Sequence, residues 1–347
     1  MVKNKRARQS NLELLRIVAM FMIICCHFVT YNNFGPTDVF SEKVLGLSIL
    51  RMGGKLGVVL FVMITGYFML NKAFRWQRVI DLSKQTMYFS IIVVLLTYAF
   101  QGTLPDLLGI TRIIFPLIMA NYWFPTDFAL ILILSPLLNK VMNDLDERIV
   151  RVGLIGSVCM IGLPIIMPDM KNQLISLIVS YCMGAYVRKY DIKIDKIKIF
   201  MLIGAILVAT SFVTGALLAA AKSNAFFSGL RLFFVSGFNV GAFIIAFLIF
   251  VLFKDWEFGS VPVINLIAST TFGVYLFHDS RSFRIYMWNE IVNPTRWHGL
   301  ELVGGLIVSA LGIFVTGMIL DLIRQYIGKV FAMLNSKFFT KNKMVNE

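Results

Sequence analysis

An all-α fold, a polytopic membrane helical bundle of about ten transmembrane helices, is what this sequence predicts, on three observations. Apolar stretches long enough to cross a hydrocarbon core recur from end to end of the 347 residues. Hydrophobic residues make up 58% and charged residues only 15%, with a mean hydropathy of +0.78, against about 45–50% and about 25% in soluble domains. The charges that remain gather in short basic clusters between the apolar runs, as membrane loops do. No charged, moderately apolar stretch is long enough to form a separate soluble domain.

The expected spans lie near 12–31, 46–70, 79–100, 122–142, 150–168, 173–188, 198–220, 229–253, 260–278 and 302–324. Segment 104–120 is apolar but short and interrupted by Pro105 and Pro116, so it reads as a re-entrant or interfacial piece and leaves the span count open by one. The chain divides accordingly into a basic cytoplasmic N-terminus over 1–11, a membrane domain over 12–324 and a basic cytoplasmic tail over 325–347. Lys3, Lys5, Arg6 and Arg8 precede an apolar run as in a secretory signal. No convincing small-x-small cleavage site follows and polar residues interrupt the run, which suits a retained span.

Charge orients the bundle. With the N-terminus inside, the same side receives Lys72/Arg75/Arg78/Lys84, Lys140/Arg148/Arg151, Arg188/Lys189/Lys193/Lys196/Lys198, Lys254 and the tail residues Arg324, Lys329, Lys337, Lys341 and Lys343. Roughly twice as many Lys and Arg fall there as on the other side, which fits an even number of spans and two cytoplasmic termini. The net charge of +14 is thus an orientation signal, and no long basic arm interleaved with aromatics argues for nucleic acid. The 279–301 loop falls outside; it is long, aromatic and mildly basic, as suits a surface that meets a polar acceptor.

Cys25, Cys26, Cys159 and Cys182 all fall in apolar segments. Cys25, Cys26 and His27 fan out by about 100° per residue on a helix and cannot converge on one ion, so no metal site is expected and the cysteines read as packing residues.

Ionisable residues inside a membrane are expensive, and they form the short list for chemistry. Arg16 and His27 stand close to three helical turns apart in the first span, on one face, about 16 Å apart along the axis. They would line one groove at two depths, with Arg16 near the cytoplasmic end. The alternatives are a snorkelling anchor for Arg16 and an interfacial hydrogen bond for His27. Arg75 and Arg78, three apart after the second span, present two guanidinium forks that suit phosphate groups or serve as a plain cytoplasmic anchor.

Taken together these residues resemble the membrane-bound acyltransferase-3 family of bacterial surface O-acyltransferases. Arg16-x10-His27 looks like its first-span signature, and Gly57-Val58-Val59-Leu60-Phe61-Val62-Met63-Ile64-Thr65-Gly66-Tyr67 is similar to its glycine-bracketed second span. Arg75-Trp76-Gln77-Arg78 resembles its R-x-x-R motif. Tyr122-Trp123-Phe124 with Ser135-Pro136-Leu137-Leu138-Asn139 resembles its tryptophan-to-proline helix. Thr271-Phe272-Gly273-Val274-Tyr275-Leu276-Phe277-His278 resembles its G-V-Y-L-x-H segment. Thr65 stands where the family usually has serine, and Asp127 is unexpected in its helix.

The resemblance implies a multi-pass protein of the bacterial cell membrane that moves an acyl group from cytoplasmic acyl-CoA, most often acetyl-CoA as donor substrate, to a hydroxyl of a cell-surface or lipid-linked carbohydrate. It would place Arg75 and Arg78 on CoA phosphates, Arg16 as a charge in the groove, and His27 as general base or acyl relay. His278 beside Asp279 is either a second functional histidine or an interfacial packing residue, and His298 reads as solvated. No G-x-S-x-G elbow and no glycine-rich phosphate loop of either usual type is present. The rival is a transporter or flippase for a lipid-linked sugar, which matching broken helices in two halves would favour. A sensor would carry an appended soluble domain. A polymerase, with Arg281, Arg284 and Arg296 in its outer loop, stands third.

Overall fold

A computed structural model describes residues 8–32, 34, 42–162, 173–222, 227 and 233–345. The regular structure of the described residues is helical, with no strand among them, as expected for a chain whose backbone polar groups must be satisfied without water. The principal helices are α1 (Ser10–Thr30), α2 (Glu42–Met69), α3 (Trp76–Gln101), α4 (Leu107–Ile114), α5 (Trp123–Asp144), α6 (Glu147–Gly162), α7 (Gln173–Tyr190), α8 (Lys196–Ala220), α9 (Phe233–Ser236), α10 (Val240–Lys254), α11 (Pro262–Ala268), α12 (Thr271–His278) and α13 (Gly299–Val345).

By length and composition, seven described segments can cross a membrane: α1, α3, α5, α8, residues 46–69 of α2, the run from α9 through α10, and residues 299–334 of α13. The other three expected spans fall on α6, α7 and the α11–α12 pair. Lys3, Lys5, Arg6, residues 163–168 of the fifth expected span and 229–232 of the eighth lie outside the described residues. Segment 104–120 contains only the short α4, none of whose side chains is buried. Its start is capped by Asp106, which accepts the Gly109 N–H at 2.7 Å. No break marks the expected tail boundary at 324, because α13 runs on as one helix to Val345.

Helix α2 sits at the centre, with α1 against one face and α7 against another. Small residues permit both approaches. The Gly53-x-x-x-Gly57 stripe lies on α1, where a side chain at Gly57 would come within 2.6 Å of the Ala19 carbonyl. Gly66 of α2 lies on the Tyr181 backbone and Gly184 of α7 on the Met63 backbone, reciprocal contacts that leave no room for a Cβ.

Polar side chains lock this core. Tyr181 donates to Asn139 Oδ1 at 2.7 Å, and Asn139 Nδ2 donates to the Met69 carbonyl at 2.9 Å, closing the C-terminal end of α2. Pro136 cannot supply an N–H to the carbonyl four residues back; Ser135 Oγ donates instead to that Leu132 oxygen at 2.7 Å. The start of α1 is pinned by Ser10, which accepts the Val261 N–H at 2.7 Å, and by Asn11, which donates to the Phe253 and Lys254 carbonyls.

Two expectations change. The expected span 260–278 is broken at Ser269–Thr270, where the Thr270 N–H and hydroxyl both donate to the Ile267 carbonyl and the Thr271 hydroxyl donates to the Ala268 carbonyl. The 279–301 loop is partly inside the protein. Trp288 is fully buried and meets Phe28 edge-on at 6.1 Å, so the loop caps one end of α1. Its aromatic content, read as surface, is in part core.

Candidate active site

Arg16 and His27 share α1 but reach different cavities. A cavity of about 520 Å³ opens at the N-terminal end of α1, lined by Arg8, Arg16, Lys72 and Arg188 with Glu13 as the one carboxylate. Arg16 Nη1 lies 3.4 Å from Glu13 Oε2, and its guanidinium stands over the Phe61 ring at 5.4 Å. Arg188 donates to the Tyr67 hydroxyl at 3.2 Å and packs on the same ring. The charge excess suits a polyanion, and the ring contacts hold the guanidinium groups without neutralising them.

The second cavity, about 190 Å³, lies toward the other end of α1 and is lined by His27, Tyr31, Arg51, Lys55, Trp123 and Tyr275 among others. The single groove expected from the shared face is therefore divided. A run of rings fills the space between: Arg16 stands on Phe61, Phe61 neighbours Phe124 and Phe272, and both of these reach Tyr275 in the His27 cavity.

His278 is the partner that His27 acquires in three dimensions. Their ring centroids are 5.0 Å apart, brought together because α12 ends against the C-terminal part of α1. His278 Nδ1 lies 2.6 Å from the Val274 carbonyl oxygen, so Nδ1 carries the hydrogen and the Nε2 lone pair is left over. His278 Nε2 and His27 Nδ1 are both buried without a hydrogen-bond partner. Two adjacent imidazoles, each with an unused buried nitrogen, are an arrangement for handling a proton.

Asp279 ties the cluster down. Its carboxylate accepts from the Tyr31 hydroxyl at 2.8 Å, the Tyr275 hydroxyl at 2.8 Å and Arg284 Nη1 at 3.1 Å. Arg284 also covers the Tyr31 ring. These bonds join α1, α12 and the capping loop around the two histidines.

Of the residues expected from sequence, His27 and His278 come together, while Arg16 stands apart in the basic cavity. Arg75 and Arg78 line neither cavity. Arg75 is exposed at the start of α3, and Arg78 Nη1 donates to the Ala73 carbonyl at 3.1 Å within the α2–α3 connection. His298 is exposed, and Asp127 is half-buried near the start of α5. Arg51, Lys55 and Arg188 were missed as site residues. The first two are visible in the sequence as charges inside an apolar span, and the third stands there among the loop charges.

The fold and the site define a polytopic membrane protein with a basic cavity at one end of its first helix and a histidine pair at the other. Residues 9–321 match the acyltransferase-3 family, described as an acyltransferase domain, and the chain belongs to that family: it is a membrane acyltransferase. No curated protein and no solved structure matches it.

Proposed function

We propose that this protein is an O-acyltransferase of the bacterial cell membrane. It transfers an acyl group, acetyl in the first instance, from acyl-CoA to a hydroxyl of a cell-surface or lipid-linked carbohydrate on the opposite side. The observation that carries this reading is the His27–His278 pair at a cavity remote from the basic one. The basic cavity receives the CoA phosphates at the cytoplasmic face, where both termini lie, and the carbohydrate enters at the His27 end.

Arg8, Arg16, Lys72 and Arg188 line the donor cavity, and Arg75 and Arg78 continue the basic surface along the connection that begins at Lys72. Bringing the acyl thioester from this cavity to His27 requires the Phe61, Phe124 and Phe272 rings between the two cavities to part. In the tautomer that carries its hydrogen on Nδ1, His27 keeps its Nε2 lone pair free to act as base, with the His278 imidazole beside it. That nitrogen takes the proton of the acceptor hydroxyl while the oxygen attacks the thioester carbonyl. The tetrahedral species collapses, the carbon–sulfur bond breaks, and the thiolate leaves to be protonated. The same lone pair is also nucleophilic, which gives a second route through an acyl-His27 intermediate.

The test is His27→Ala in cells that make the envelope carbohydrate. Ester-linked acetate on the purified polysaccharide is expected to fall to background at unchanged membrane abundance; wild-type acetate in the variant refutes the assignment. Incubating purified protein with radiolabelled acetyl-CoA and no acceptor separates the two routes, since only the relay leaves label on the protein.

A further inference from the structure

We propose that Arg51 and Lys55 form an anion-binding subsite in the His27 cavity, so that the acceptor carries a carboxylate or phosphate close to the hydroxyl that is acylated. The identity of the acceptor as a carbohydrate rests on the reading above; the charge of the subsite does not.

Arg51 and Lys55 are four residues apart on α2, hence neighbours on one helix face, and both line the cavity that contains His27. Neither pairs with a carboxylate among the described residues. This sets them apart from the cations that the fold uses structurally: Lys254 pairs with Asp191 and Asp255, Arg284 with Asp279, and Arg324 with Asp321. A lysine inside a membrane span that is left without a counter-ion is expensive unless something else engages it.

Lys55 is engaged by ring faces. Its ammonium lies 4.4 Å from the Trp123 ring centre and 4.6 Å from that of Phe238, contacts that offset part of the desolvation without consuming the charge or its three N–H donors. Arg51 spends one donor on the Val29 carbonyl at 3.2 Å. The remaining guanidinium donors are available for a planar, two-oxygen group.

Among the described residues no nearby carboxylate competes for them. Asp279 is occupied by Tyr31, Tyr275 and Arg284. Asp127 lies within electrostatic reach of Lys55 but forms no ion pair with it. The cavity thus presents two cations, aromatic faces and a base, the combination that would bind a negatively charged sugar and orient a hydroxyl toward His27.

Purified protein in nanodiscs of zwitterionic phosphatidylcholine is titrated with glucuronic acid, glucose 1-phosphate and neutral glucose, following binding by calorimetry. Both anionic sugars are expected to bind about tenfold or more tightly than glucose, as charge-assisted hydrogen bonds imply. Lys55→Gln and Arg51→Gln abolish that preference and Lys55→Arg retains most of it. Acyl-CoA binding at the far cavity stays at the wild-type value in all three and certifies the fold. Preference for only one of the two anions still supports the subsite and identifies its group as carboxylate or phosphate. Absence of any charge preference in the wild type, or an undiminished preference in Lys55→Gln, overturns it. Labelled acetyl transfer in the same preparations reads the acyltransferase assignment separately, so either conclusion can fail alone.

Discussion

Replacing Asp279 tests whether the histidine pair is held by a single carboxylate. The Asp279 side chain is 3% exposed and accepts three hydrogen bonds, while its partner Arg284 is 29% exposed. Removing one member of a buried ion pair costs about 3–5 kcal/mol, because the remaining charge is left unpaired. Water reaches Arg284 in part, which moves the ion-pair loss toward the lower end of that range. The two tyrosine hydroxyls lose an ionised acceptor as well, at about 1 kcal/mol or more each. Asp279→Ala is therefore expected to destabilise the protein by about 3–5 kcal/mol in total. Asp279→Asn keeps an acceptor facing Tyr31 and Arg284 and loses roughly half as much.

The assay is detergent-induced unfolding of purified protein, with a double-mutant cycle. If the unpaired guanidinium dominates, Arg284→Met combined with Asp279→Ala is less damaging than the sum of the two by about 1–3 kcal/mol. Equal losses for Asn and Ala, or strict additivity in the cycle, refute this account. Acyl transfer follows the same ranking, because Asp279 joins the two elements that carry His27 and His278.

The other outcomes concern the donor and the second histidine. Arg188→Met is expected to raise the KM for acyl-CoA about tenfold with little change in kcat, since Arg188 lines the basic cavity. Arg78→Ala is expected to act more weakly, because Arg78 is engaged with the Ala73 carbonyl; a larger KM effect for Arg78 than for Arg188 refutes that order. His278→Gln is expected to lower kcat by about tenfold or more at unchanged KM for acyl-CoA, and wild-type kcat in a well-folded variant rules out its part in the proton path.

Much of this protein is legible without coordinates. The apolar runs announce membrane helices because lipid leaves the backbone only itself to bond with, and the motifs from Arg16 to His278 announce the family. The break at Ser269–Thr270 was hidden, because apolar composition reports that a segment sits in the membrane and not that its helix is continuous. The 279–301 loop misled for a related reason, since an aromatic such as Trp288 suits an interface and a core equally well.

The feature that sequence located best was the helix face shared by Arg16 and His27, which helical periodicity alone dictates. What stands between and beside them depends on other helices. The rings of Phe61, Phe124 and Phe272 divide the face into two cavities, and the close approach of α12 sets His278 against His27. Lys55 faces the same cavity because the glycines of α2 let that helix settle on α1. Sequence therefore determined the span-forming segments and one face of the site. The tertiary structure alone decided its partners, because periodicity acts within a helix and the chemistry here lies between helices.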